Sequence, residues 1–236
     1  MLLLDAEVII DDSDNDGMSK PIQAIKQGGK ELLVRVYSGV ILVIWIMAPY
    51  LLLQQFAIRD VYWLEPTVWD RSIPINFYGL WFYFTYYILL GVVGLSVRKP
   101  VYMRFLLTVG WTVLVAHMVF LFFPNGVSRE EIPGEGAPFF YEVILAYDAP
   151  RNAFPSLHAA LAVIAGLAVN RCCRYHPVAR VLVWCWVLGI FWSTIALRQH
   201  VLVDLLGGAA VAVGAWIFVG WFHRAEIEQM RDGVVS

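Results

Sequence analysis

The chain has 236 residues, 60% of them hydrophobic and only 15% charged, against about 25% charged in soluble domains. That deficit argues against an ordinary soluble domain, and a formal net charge of −2 without a basic stripe argues against a nucleic-acid partner. The three cysteines, Cys172, Cys173 and Cys185, match neither zinc-site nor redox CxxC spacing and read as reduced thiols.

The N-terminal MLLLDAEVIIDDSDNDG lacks the basic start and long apolar core of a secretion signal. Asp11, Asp12, Asp14 and Asp16 make this stretch acidic and expected to be mobile, and residues 1–31 are expected to form an acidic cytoplasmic tail. A bilayer core takes about 20 apolar residues per helix. Six stretches read as spans: 32–53, 75–97, 105–123, 157–169, 181–197 and 201–222. The expected fold is therefore all-α, a polytopic six-transmembrane-helix bundle over residues 32–223, with 224–236 as a second cytoplasmic tail. The fourth stretch is the shortest, and no internal repeat is visible.

Basic residues set the expected orientation. With the N-terminus in the cytoplasm, twelve of the 17 Lys and Arg fall on inner segments, leaving Arg59, Arg71, Arg129, Arg151 and Arg198 outside. The positive-inside rule then puts both termini in the cytoplasm. Three connections face the periplasm, exterior or organelle lumen. Residues 54–74 carry Tyr62, Trp63 and Trp69, which suit a membrane interface. Residues 124–156 contain Gly126, Pro133, Gly134, Gly136 and Pro138 and read as irregular, with room for a short helix. Arg198-Gln199-His200 is a tight third connection.

Two outward stretches carry the chemistry. The first is Phe154-Pro155-Ser156-Leu157-His158, opening the fourth span. Pro155 suits a helix's first turn, where its missing N–H costs nothing. Ser156 and the free amides at such a start suit an anion such as phosphate, and His158 can protonate a leaving oxygen as general acid. The plainer reading is a capping Ser beside an incidental interfacial His. The second stretch runs from Ser193-Thr194 through Arg198, Gln199, His200 and Asp204 to Gly207-Gly208. If the sixth span starts near His200, then His200 and Asp204 share a helix face one turn apart. A carboxylate there can hold one imidazole nitrogen and leave the other free to attack. The plainer reading is a structural His–Asp bond. Phosphoryl transfer also needs positive charge on the transferred oxygens, and Arg129, Arg151 and Arg198 lie outward to supply it.

PSLH followed by H-x-x-x-D resembles the signature of the type-2 phosphatidic acid phosphatase superfamily. FPSLHAA, the later S-T-x-x-x-x-Q-H-x-x-x-D-x-x-G-G pattern, and D-R-x-I-P ahead of the aromatic run Trp81 to Tyr87 resemble its inositol phosphorylceramide synthase branch. The likeness covers about residues 70–208. It implies a six-helix core in which His200 attacks phosphorus to give a phosphohistidine, Asp204 orients it, His158 protonates the leaving group, and no metal or other cofactor takes part. It implies a lipid phosphate or diphosphate as substrate, membrane lipids as surroundings, and water, an alcohol or another lipid as acceptor. The chain departs from the broad pattern in having Thr194 where an Arg follows the Ser. It also lacks the full Lys-to-Arg-Pro motif. The Phe-Pro-Asn-Gly-Val-Ser-Arg129 stretch resembles the branch's own Pro-to-Arg segment, which makes Arg129 the first expected phosphate ligand and Arg198 the second, beside Ser156.

The leading expectation is a lipid phosphate phosphatase; the alternative is a head-group transferase that shares the first half-reaction. A haem or ion carrier with His158 and His200 as ligands, or a zinc site from those two and Asp204, are further alternatives. His117 is expected to be an interhelical donor, and His176 and His223 lie on the opposite side. Asp70 and Asp148 are expected to cap loops or helix starts.

Overall fold

The computed structural model describes residues 20–129, 138–172 and 176–233. The acidic tail with Asp11, Asp12, Asp14 and Asp16, as well as Pro133, Gly134, Gly136 and Cys173, lies outside them. The chain divides into two units, Met1–Val40 and Ile41–Ser236. In the first, the described residues belong to helix α1 (Lys20–Gln55). Glu31 and Arg35 pair there one turn apart at 2.6 Å, in the acid-before-base order that suits a helix.

The second unit holds the rest of α1, then β1 (Tyr62–Leu64), α2 (Val68–Ser72), α3 (Gly79–Ser96), α4 (Lys99–Phe122), β2 (Asn125–Val127), α5 (Phe139–Tyr147), α6 (Leu157–Arg171), α7 (Pro177–Ala196) and α8 (Leu202–Gly233). The expected all-α membrane architecture is observed. Among the described residues five helical stretches are long and apolar enough to cross a membrane: Lys26–Gln55, Gly79–Ser96, Lys99–Phe122, Pro177–Ala196 and Leu202–Phe222. The sixth expected span, α6, is apolar but has 15 residues and falls short of that length.

α6 is the centre of the unit. It packs against α3, α4, α7 and α8, and its stretch from Ala159 to Gly166 is entirely buried. A helix apolar on every side is one surrounded on every side. Its small residues let neighbouring backbones approach closely; a Cβ at Gly166 would sit 2.9 Å from the Trp184 ring. The outer helices turn Ile88, Val92, Leu182, Leu188, Ile217 and Trp221 outward. Such a surface would be a liability in water but is ordinary in contact with lipid tails.

The loops at the end where α6 begins are ordered by two short devices. β1 and β2 pair in parallel, Tyr62 opposite Asn125 and Leu64 opposite Val127. Gly126 is required at the middle of β2, because a Cβ there would lie 2.2 Å from the Pro150 carbonyl oxygen. The long connection contains α5, which buries Tyr141 and Ile144 and exposes Phe139, Phe140 and Tyr147. That one-sided pattern suits a helix lying at a membrane interface.

Candidate active site

The PSLH stretch is seated by Ser156. It is the N-cap of α6, and its hydroxyl oxygen accepts the Ala159 amide at 3.3 Å. Its own N–H donates to the Asp204 carbonyl at 3.0 Å. Pro155 therefore stands just before the cap and not in the first turn, contrary to expectation: the Ser side chain is the better cap and takes that position. Two glycines of α8 make room for the turn. A Cβ at Gly207 would meet the Phe154 ring at 2.3 Å, and one at Gly208 the Ser156 carbonyl oxygen at 2.2 Å.

His158, one residue into α6, is half-buried. Its ring centroid lies 4.7 Å from Tyr83 and 4.9 Å from Tyr86, both on α3. It lies 5.7 Å from the His200 centroid, with the two imidazoles edge to face. Two histidines 42 positions apart in the chain thus face each other directly.

His200 is not on α8. It sits in the link between α7 and α8, where Arg198 takes the left-handed backbone (φ 57°) and the Thr194 carbonyl accepts the amides of Gln199 and His200 at 2.9 and 3.2 Å. The shared helix face expected for His200 and Asp204 is replaced by a helix-start arrangement. Asp204, in the first turn, accepts the Val201 amide at 3.1 Å and meets His200 Nδ1 at 3.3 Å through the same oxygen, Oδ2. A carboxylate is favoured there because the first amides of a helix lack backbone partners. Asp204 is wholly buried, and among the described residues its Oδ1 has no hydrogen-bond partner.

A second carboxylate secures this link. Asp70 is 2% exposed. Its Oδ1 accepts the Leu202 amide at 2.6 Å, while Oδ2 accepts the Thr67 amide and hydroxyl at 2.8 and 2.6 Å. Arg198 Nη1 donates to the Asp70 carbonyl at 3.0 Å. The Thr67-to-Asp70 spacing is a capping-box pattern visible in sequence, but its reach across to α8 is not.

The arginines divide. Arg129 Nη2 donates to Gln199 Oε1 at 2.5 Å and Nη1 to the Asp148 carbonyl at 2.8 Å. Burial pushes the Tyr141 hydroxyl up in pKa, while Arg129 and Arg198 both pull it down. That hydroxyl donates to the Leu197 carbonyl at 3.1 Å. Both guanidinium groups therefore flank the link that carries His200. Among the described residues the Nε of each is buried without a partner. Arg151 instead donates to the Gln54 carbonyl at 3.1 Å.

Asp148, just past α5, is a hub that sequence did not reveal. Its Oδ1 accepts Tyr50 at 3.0 Å and Gln54 at 2.6 Å; its Oδ2 accepts Tyr83 at 3.2 Å. These donors lie far off in the chain, so no local signal could announce them. Asp148, His158 and His200 share the wall of a cavity of about 230 Å³ with Tyr83, Tyr86 and apolar residues such as Ile46 and Leu157.

The remaining histidines take plain roles. His117 pairs with the Ile46 carbonyl on α1, and His176 caps α7 by accepting the Val178 amide at 3.3 Å. The side chain of His223 lies outside the described residues. Among those residues no three His, Cys, Asp or Glu side chains are grouped as ligands for a metal ion.

The family model described as PAP2 superfamily matches residues 55–218. Among curated proteins, the chain is similar to the inositol phosphorylceramide synthase catalytic subunit aur1 of Schizosaccharomyces pombe, at 31% identity over 84 residues. That segment is 36% of this chain and 18% of the relative, so the similarity spans less than a fifth of the longer protein. No solved structure matches the chain.

Proposed function

The chain belongs to the PAP2 superfamily, and from that premise we propose that it is an integral-membrane lipid phosphate phosphatase working through a phosphohistidine. The observation that carries this reading is the facing pair His158 and His200, 5.7 Å apart, with a buried carboxylate on Nδ1 of one of them. A proton on His200 Nδ1, donated to Asp204, leaves Nε2 with its lone pair. Nε2 attacks phosphorus, forming a P–N bond, while the bond from phosphorus to the lipid oxygen breaks. The electron pair stays on that oxygen, which takes a proton from the imidazolium of His158. In the second half-reaction His158 accepts a proton from water as the water oxygen attacks phosphorus. The P–N bond breaks and His200 is restored. Arg129 and Arg198 hold the phosphoryl oxygens, aided by the Ser156 hydroxyl proton, which the cap does not use. The chemistry needs no metal, because these two cations supply the charge stabilisation. α6, central and ringed by helices, completes a six-span topology with both termini in the cytoplasm and the site on the opposite face.

The likeness to aur1 favours a second reading, in which an alcohol on another lipid replaces water and a phospho-head group is transferred. Both readings share His200. The test is release of phosphate from a lipid phosphate panel by purified protein in EDTA, wild type beside His200→Ala. Release by wild type alone is the expected result. Head-group transfer only when an acceptor lipid is added would favour the second reading. Activity retained by His200→Ala, or lost in EDTA, would contradict both.

A further inference from the structure

We propose that Tyr83 is a positioning residue that aims His158, and that Asp148 holds Tyr83 in place; the inference rests on the reading of His158 as general acid. Tyr83 and Tyr86 are three apart on α3 and so lie on one helix face. Both are buried, and both put their rings against His158, at 4.7 and 4.9 Å between centroids. The Tyr83 ring is tilted 33° to the imidazole, closer to stacking than to an edge contact.

A phenylalanine would fill that space without bringing a hydroxyl into an apolar helix bundle, where a polar group without a partner is costly. Tyr83 has its partner: the hydroxyl donates to Asp148 Oδ2 at 3.2 Å. Asp148 is itself fixed through its other oxygen by Tyr50 and Gln54. Residues from α1 and α3 thus converge on one carboxylate at the end of α5. Hydrogen bonds to a carboxylate are among the stronger ones. The Tyr83 ring is pinned at its far end by that bond and stacks with its face on His158. The imidazole plane, and with it the line of its N–H toward the leaving oxygen, follows from Tyr83. Proton delivery depends on that line, and misplacement by about 1 Å can cost about 10²-fold in rate.

The test separates aim from stability by changing the leaving group. Dioctanoyl phosphatidic acid leaves as an alkoxide that needs a proton; p-nitrophenyl phosphate leaves as a phenolate that does not. The readout is the ratio of kcat/KM on the alkyl ester to kcat/KM on the aryl ester, for the purified full chain; kcat/KM covers the steps through loss of the leaving group and not the hydrolysis that both esters share. His158→Ala is expected to lower that ratio by about 10²-fold, the lower range for a general acid. Tyr83→Ala should lower it to a similar degree, and Tyr83→Phe, which keeps the ring and loses only the tie to Asp148, by an intermediate factor. The double variant should fall no further than His158→Ala. If Tyr83→Ala lowers both rates in proportion, its role is structural and the inference fails while the functional reading stands. If wild type turns over neither ester, or His200→Ala turns over both, the reading itself falls and the inference with it.

Discussion

One oxygen of Asp204 meets both the His200 ring and the Val201 amide, so a single carboxylate starts a helix and holds the ring of the proposed nucleophile. Asparagine with its amide oxygen in that place keeps the acceptor for both groups but cannot carry the charge that stabilises the imidazolium. Asp204→Asn is therefore expected to leave the fold intact and to slow turnover by about 10⁴-fold, the loss seen when the orienting carboxylate of a hydrolase triad is amidated. Turnover per folded molecule checks this, and an unchanged rate would reduce Asp204 to a helix cap. At this scale His158, His200 and Asp204 were legible because they sit in short motifs. The capping role of Asp70 at α2 was legible too, but the reach of Asp70 to α8 and of Asp148 to α3 was not, because those partners arrive from elements distant in sequence. The Thr67–Asp70 capping box was the one local clue. Without Asp70 the Leu202 amide would lose its charged acceptor, a hydrogen bond worth about 1.5–3 kcal/mol, two residues from His200.

The site exists because the start of α6 lies against the first turns of α8. Gly208 allows this: a Cβ there would lie 2.2 Å from the Ser156 carbonyl oxygen, a backbone atom that cannot swing away. Gly208→Ala is expected to cost about 1–3 kcal/mol by overpacking and to displace His158, with about a 10²-fold loss of turnover. Gly214, on the same helix, has nothing within 4 Å of its would-be Cβ, so Gly214→Ala should leave both unchanged. Melting temperature and turnover of the two variants decide the matter, and equal effects would contradict the packing argument. The long apolar elements were legible from composition alone. Their helical ends were displaced, by a few residues in most and by twelve at the start of α1, because hydropathy marks the apolar stretch and not where the helix begins. The β1–β2 pair was illegible, since three residues with a glycine in the middle carry no periodic signal.

At the scale of the whole molecule, charge asymmetry predicts which side of the membrane the site faces. The β1 loop, β2 and the His200 link lie at the end of the unit where α6 begins, and Arg98 lies at the opposite end of α3. In sealed right-side-out membranes a membrane-impermeant maleimide should label Glu65→Cys directly and Arg98→Cys only after permeabilisation, in a background lacking Cys172, Cys173 and Cys185. The reverse pattern would put the site in the cytoplasm. Membrane class is readable in sequence because it is a sum over many residues. The cavity that joins Asp148 to the two histidines is a product of packing and is not.

The central claim is a covalent bond between His200 and phosphorus. The most direct measurement quenches the protein in base during turnover of a lipid phosphate, conditions under which phosphohistidine persists, and reads the peptide spanning His200 by mass spectrometry. The account predicts a phosphoryl or phospho-head-group adduct on His200; with p-nitrophenyl phosphate, whose leaving group needs no proton, the adduct should accumulate when His158 is replaced by Ala and the second half-reaction slows. Steady turnover with His200 unmodified, or an adduct that survives on His200→Ala, would contradict it.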